Sequence, residues 1–461
     1  MRLIALTVAC FVGIAGVLLI GYQQEIFCHP SVYARLRLPG PTSKCFPEPV
    51  EPMVRADEFP GMIRVGSEED IEVRRRGLVN FVWRTPDLPT DRLPTRVLTG
   101  VTEPAFAGMA NLKRIDILET ELPHGFVSRI YHFLPDQESG RLAIYHEGHT
   151  GSFVDLARDI IEAALAQGHG VMGVDLPMDG VNHWPERLDL PEVGRVAFGG
   201  SSHWDLALLE SEDFSPIELF LDPVLRAVNH AQSTDHYTRI FMLGVSGGGW
   251  ATTVYAALDP RIERSYPVAG SLPFSMHRRH PVSGKDHSFG DYEQRVTGVY
   301  RIATYLDLYV MGAAGTNRRQ LQILNKYDQC CFFGTEAVLY EPAVQAAVAR
   351  IGVGGSFEVA IDDTHVEHDL SSHALDLILH DADELDPEPA IADTGTTAAP
   401  DNADDGLDRE DWAPYREPNA PRAQRTGVRR KDVSGGDLGL VTRLSRSRRD
   451  GRTTRGWTIR T

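Results

Sequence analysis

Apolar and polar positions fall into alternating blocks along the middle of the chain. "RLAIYHEG" (141–148) is a short, nearly unbroken apolar run closed by glycine, the pattern of a strand buried on both faces. After it, "SFVDLARDIIEAALAQG" puts Phe153, Leu156, Ile160, Ala164 and Leu165 on one side of a helix, with Ser152 to cap its start and Gly168 to end it. The alternation then repeats. "VMGVDLP" (171–177) reads as a second strand, a helix is expected from Ser215 and Pro216, and "RIFMLG" (239–244) reads as a third strand. "WATTVYAALD" (250–259) is helical, "SYPVAG" (265–270) is a fourth strand and "QLQILN" (320–325) a fifth. "EPAVQAAVAR" is a further helix, "FEVAID" (357–362) a sixth strand, and "HALDLIL" a closing helix. Continuous apolar strands separated by helices predict an α/β fold, with a mostly parallel sheet covered by helices on both faces and helical insertions between them.

The flanks break this pattern. Residues 25–110 are Pro-rich and read as irregular, with short strand-like runs such as "GLVNFVWR". Ahead of them, Arg2 precedes an uncharged, mostly apolar stretch from Leu3 to Tyr22, close to the ~20 residues that a bilayer span requires. No small-x-small cleavage site follows it, so residues 1–24 are expected to be an uncleaved signal anchor rather than a removed signal peptide. Arg2 on the cytoplasmic side puts the body of the chain on the periplasmic or outer face, with the membrane as its partner; the alternative, a removed signal peptide, would make the chain a secreted one. Residues 386–461 are first acidic, then arginine-rich, and too poor in large aliphatics to offset the entropy of ordering; a disordered tail is expected there. The ordered domain is thus expected over 111–385.

A net charge of −18 over 461 residues argues against nonspecific nucleic-acid binding by the body of the chain. Of five cysteines, Cys28 and Cys45 could close a loop in an oxidising compartment. Cys330 and Cys331 are adjacent, a poor geometry for bonding to each other, and are expected to be small buried apolar residues. No CxxC pair calls for zinc, and "DDTHVEH" (362–368) has no standard zinc spacing, so neither metal nor cofactor is expected.

Chemistry concentrates at "MLGVSGGGWATTV" (242–254). Gly244, Ser246 and Gly248 form GxSxG between a buried strand and a helix. A serine there sits on a sharp turn, and residues two positions to either side must be small for strand and helix to pass. The hydroxyl then points outward, and the N–H of Gly247 lies at a helix start, where it can stabilise an oxyanion. Such a serine needs a base and an orienting acid. Asp328 follows the fifth strand, in competition with Asp362 and Asp363; His365, His368 and His373 follow the sixth.

Serine, then acid, then histidine, at the ends of successive strands, resembles the α/β-hydrolase superfamily over residues 112–379. The likeness is nearest to secreted bacterial serine esterases and prolyl-oligopeptidase-like members. It implies His368 as the base, with His365 as runner-up and His373 inside the closing helix, and Asp328 as the acid. "HEGHTG" (146–151) is similar to the superfamily's HG-type loop, which makes the N–H of His149 the second oxyanion donor if Gly148 aligns with that loop's glycine; aligning His146 instead shifts the donor. The resemblance implies a small-molecule acyl substrate, carboxylic esters ahead of short peptides. The rivals are a catalytically silent hydrolase fold used for binding and a metal-dependent hydrolase that chelators should inactivate. His146, His149, His183 and His203 are candidates for the mouth of the site; Trp184, Trp204 and Phe220 lie in the segment between the second and third strands, where the resemblance implies a lid or acyl-group wall, and "GDYEQ" (290–294) lies in an insertion spanning 273–301 that is a candidate substrate gate.

Overall fold

The computed structural model describes residues 54–149, 151–191, 194–199, 203–234, 237–276 and 290–384. The expected anchor, Cys28, Cys45 and the acidic and basic tail lie outside them. Among the described residues, no helix is long and apolar enough to cross a membrane.

The first long element departs from the sequence reading. "GLVNFVWR" belongs to helix α1 (Glu68–Trp83), not to a strand. Its buried residues Ile71, Leu78, Val79, Val82 and Trp83 recur at helical spacing, and the Ser67 hydroxyl accepts the N–H of Asp70 at 3.1 Å to cap its start. The β-branched run is therefore half of an amphipathic stripe. It is anchored by a hydrogen bond from the Trp83 indole to buried Asp222 at 3.0 Å.

Three strands follow: β1 (Arg96–Val101), β2 (Leu112–Glu121) and β3 (Val127–Pro135). Next come β4 (Arg141–His146), helices α2 (Phe153–Leu156) and α3 (Arg158–Ala166), and β5 (Gly170–Val174). A small antiparallel pair, β6 (Arg187–Leu190) and β7 (Gly194–Ala197), precedes α4 (Ile217–Ser233). Then β8 (Arg239–Val245) leads into α5 (Gly247–Leu258) and β9 (Arg264–Val268). Helices α6 (Thr297–Ile302) and α7 (Tyr305–Ala313), β10 (Arg319–Asn325), α8 (Glu341–Ile351), β11 (Ser356–Asp362) and α9 (Ser372–Asp383) complete the described chain.

Among the described residues, nine strands share one sheet in the order β1-β2-β3-β5-β4-β8-β9-β10-β11. The six from β5 to β11 are parallel, and they are the six strands read from the sequence. β1, β2 and β3 extend the sheet antiparallel to one another, and β3 joins β5. Residues alternate between two cores, as a strand's two-residue period dictates. On β4, Leu142 and Ile144 face the side holding α1, α4, α5 and α7, while Ala143 and Tyr145 face α3 and α9. This doubly covered sheet with helical insertions is an α/β-hydrolase fold, and its strand ends frame the site.

Candidate active site

Ser246 lies between the last residue of β8 and the first of α5, with φ 56° and ψ −119°. A non-glycine residue is held there at a cost of roughly 1–3 kcal/mol, and persists only where its surroundings fix it. The glycines around it supply that constraint. A Cβ on Gly244 would stand 2.4 Å from the Gly248 carbonyl oxygen, and one on Gly248 would stand 2.0 Å from the His146 carbonyl oxygen. Strand, helix and the loop after β4 therefore pack backbone against backbone. A Cβ on Gly148 would come within 2.8 Å of the Ser246 Cβ, so this loop runs directly over the half-buried serine.

The acid and the imidazole arise next to each other because β10 and β11 pair in register along their whole length, Arg319 with Ser356 through to Asn325 with Asp362. Their outgoing loops leave side by side. His368 Nδ1 lies 2.6 Å from Oδ2 of fully buried Asp328. The other carboxylate oxygen, Oδ1, accepts the backbone N–H groups of Cys330 at 2.7 Å and Cys331 at 3.0 Å. Burial disfavours the imidazolium of His368, but the Asp328 charge and hydrogen bond more than offset this, and the ring's pKa is raised above its ordinary value. Its Nε2 is buried without a hydrogen-bond partner, so Ser246 and His368 are not hydrogen-bonded to each other here.

Cys330 and Cys331 correct the sequence reading: they form a disulfide with each other instead of standing as free apolar residues. The turn that folds both N–H groups onto Asp328 also brings the adjacent sulfurs together. The Asp328 side chain thus organises a tight loop as well as facing the imidazole.

The other candidates for acid and base are held by other partners or stand exposed. His365 sits between Asp362, at 3.5 Å, and Asp369, at 3.2 Å. Asp362 is taken up by Ser371 and Thr364, Asp363 is exposed, and His373 is exposed in the first turn of α9. Gly247 opens α5, where the first N–H groups have no helical acceptor. A Cβ there would lie 2.7 Å from Cε1 of His149, so the His149 ring packs against the elbow. His146, fully buried, gives its Nδ1 proton to the Glu147 carbonyl, and burial pushes its pKa down to about 4. His183 and Trp184 line a cavity of about 640 Å³ together with Arg187 and Phe198. Phe220 is core packing, 5.7 Å from Trp250, whereas Trp204 is exposed beside Tyr292 and Arg295.

Two buried carboxylates went unread in the sequence. Glu147, its pKa raised by burial, accepts the Tyr145 hydroxyl and the Gly148 N–H, each at 2.8 Å. Glu293, within "GDYEQ", is fully buried between His149 and His203. Burial opposes its charge, but the two imidazoles outweigh that and hold its pKa well below the usual carboxylate range. Only their three-dimensional convergence marks these residues; no spacing along the chain does.

No protein-family model and no curated protein matches the chain. Among solved structures it is similar to an acetyl xylan esterase from Paenibacillus sp. R4, at 15% identity and TM-score 0.45, over 71% of this chain and 99% of that one. It is also similar to acetyl xylan esterase 1 from Thermoanaerobacterium sp. JW/SL YS485, at 13% identity and TM-score 0.45, over 71% and 98%. A third similar structure is an S-formylglutathione hydrolase from Agrobacterium tumefaciens, at 15% identity and TM-score 0.41, over 63% and 100%.

Proposed function

We propose that the protein is a serine hydrolase that cleaves carboxylic esters through an acyl-enzyme. The observation that carries this reading is the His368–Asp328 pair at 2.6 Å, with the other imidazole nitrogen buried and unpartnered, in the fold that presents Ser246 on a strained strand-to-helix turn. Ser246 Oγ attacks the acyl carbonyl while His368 Nε2 takes its proton, and Asp328 holds the Nδ1 proton and stabilises the imidazolium. The tetrahedral oxyanion accepts hydrogen bonds from the N–H groups of Gly247 and His149. Collapse expels the alcohol, protonated by His368; water, deprotonated by the same nitrogen, then attacks the acyl-serine and releases the carboxylic acid. Removing one oxyanion donor would raise the barrier by roughly 3–4 kcal/mol. In this reading the substrate is a small acyl ester, and the Leu3–Tyr22 run holds the enzyme at the outer face of a membrane.

A fluorophosphonate probe on the full chain tests the nucleophile: the wild type should label, and Ser246→Ala should not. A wild type that stays unlabelled would instead favour the silent binding fold. Hydrolysis of p-nitrophenyl acetate and butyrate, set against peptide amides, tests the substrate class, with esters expected to turn over faster.

A further inference from the structure

His149, His203 and Glu293 come from three segments: the loop after β4, the turn after residue 202, and the 273–301 insertion. Their ligand-capable atoms all lie within 4.8 Å of one another. His203 Nε2 lies 2.8 Å from the Pro177 carbonyl and so must carry a proton to bond it. In the neutral ring this leaves Nδ1 as a lone pair, 3.0 Å from Glu293 Oε2. On the other side, His149 Nε2 and Glu293 Oε1 are 2.8 Å apart, yet both are buried and neither meets the geometry of a hydrogen bond. Three side chains that can each offer an electron pair therefore converge on one point.

We propose that His149 Nε2, His203 Nδ1 and the Glu293 carboxylate form a binding site for a divalent transition metal of the zinc class. The chemistry of the set fits: two imidazoles and one carboxylate are zinc donors, and donor atoms around a tetrahedral zinc stand about 3.3 Å apart. The outer contacts fit as well. A ligating histidine usually gives its second ring N–H to a carbonyl, which fixes the tautomer, and His203 does this with Pro177. Fully buried Glu293 supplies the compensating charge. The ion would clamp the insertion and the 203–209 turn to the loop that crosses Ser246, and His149, whose ring rests on Gly247, would join the metal to the elbow. Binding itself does not depend on the hydrolase reading.

The full chain, stripped with a chelator and dialysed, would be titrated with Co²⁺ and separately with Zn²⁺. One equivalent of Co²⁺ should bind with visible d–d absorption, Zn²⁺ should displace it, and Zn²⁺ should raise the melting temperature. His149→Ala, whose ring is partly exposed, and Glu293→Gln should each weaken binding at least about 10–100-fold. Far-UV circular dichroism checks that the variants fold, and His149→Ala keeps the test decisive if Glu293→Gln does not. No stoichiometric binding by wild type, or equal binding by wild type and folded His149→Ala, would overturn the proposal. In that case protons on the two imidazoles satisfy Glu293. Running the titration on Ser246→Ala as well separates metal binding from any failure of the nucleophile.

Discussion

Asp328 Oδ2 and His368 Nδ1 stand 2.6 Å apart across 40 positions of sequence, while Asp328 Oδ1 is bound by two backbone N–H groups of the same loop. The carboxylate is thus fixed from one side and faces the imidazole from the other. If His368 is the base, its neutral form is the active one, and because its pKa is raised, the acid limb of kcat/KM should lie above the ordinary histidine value of about 6.5. Asp328→Asn removes the cause of the shift, so the limb should move to lower pH. The same change should lower kcat by about 10⁴-fold. An unmoved limb in a folded variant would assign the titration to another group.

The two histidines near the end of β11 should separate cleanly. His368→Ala should lower kcat by about 10⁴-fold or more. His365→Ala removes contacts to Asp362 and Asp369 and should keep most of the activity, with stability lowered by about 0.5–3 kcal/mol, since the ring is largely buried. Ester turnover by both variants, with melting curves, checks this; the reverse ranking would reassign the base.

Gly248→Ala would push a methyl group to 2.0 Å from the His146 carbonyl oxygen and 2.7 Å from that of Glu147. Backbone on both sides leaves little room to yield. The expected loss is about 3 kcal/mol or more of stability, read from urea melts alongside wild type. A neutral Gly248→Ala would mean that the loop after β4 is not seated on the elbow.

Stability in mild acid should follow His169. Its ring is buried against Phe241, 5.5 Å away, and Ser139, and burial pushes its pKa down to about 4 despite Asp383 at 3.3 Å. The folded-state pKa lies below the unfolded value of about 6.5, so between these two pH values the unfolded chain binds the extra proton. This contribution is complete above about pH 6.5 and is lost as pH falls towards about 4, amounting to about 3 kcal/mol at most. Denaturant midpoints from pH 7 to pH 4 should fall less steeply for His169→Asn than for wild type.

The six parallel strands were legible because burial on both faces writes an uninterrupted apolar run. β2 and β3 were not, since polar residues interrupt them and are buried through partners the sequence does not announce. Arg96 and Arg129 meet Glu119, the Gly100 N–H meets Asp116, and His132 meets Tyr237 at 2.6 Å. α7 went unread for the opposite reason: every residue from Tyr305 to Ala313 is buried, so no polar face marks a helical period. At the site, the GxSxG turn and the residues past the strand ends were readable, as their positions follow from strand order. The Cys330–Cys331 bond and the Glu293 cluster depend on how distant loops fold back, which local pattern does not encode.

Because β10 and β11 pair directly, residue for residue, the separation of their exits is set by the sheet's own spacing and not by the chain that joins them. The connection begins with the Asp328 turn itself and then buries Tyr340 and, on α8, Ala343, Val344, Ala347 and Val348 in the core, so its exposed positions alone are free to vary. Lineages could change those exposed positions, or an engineer could graft a binding element onto them, without unseating the acid from the imidazole.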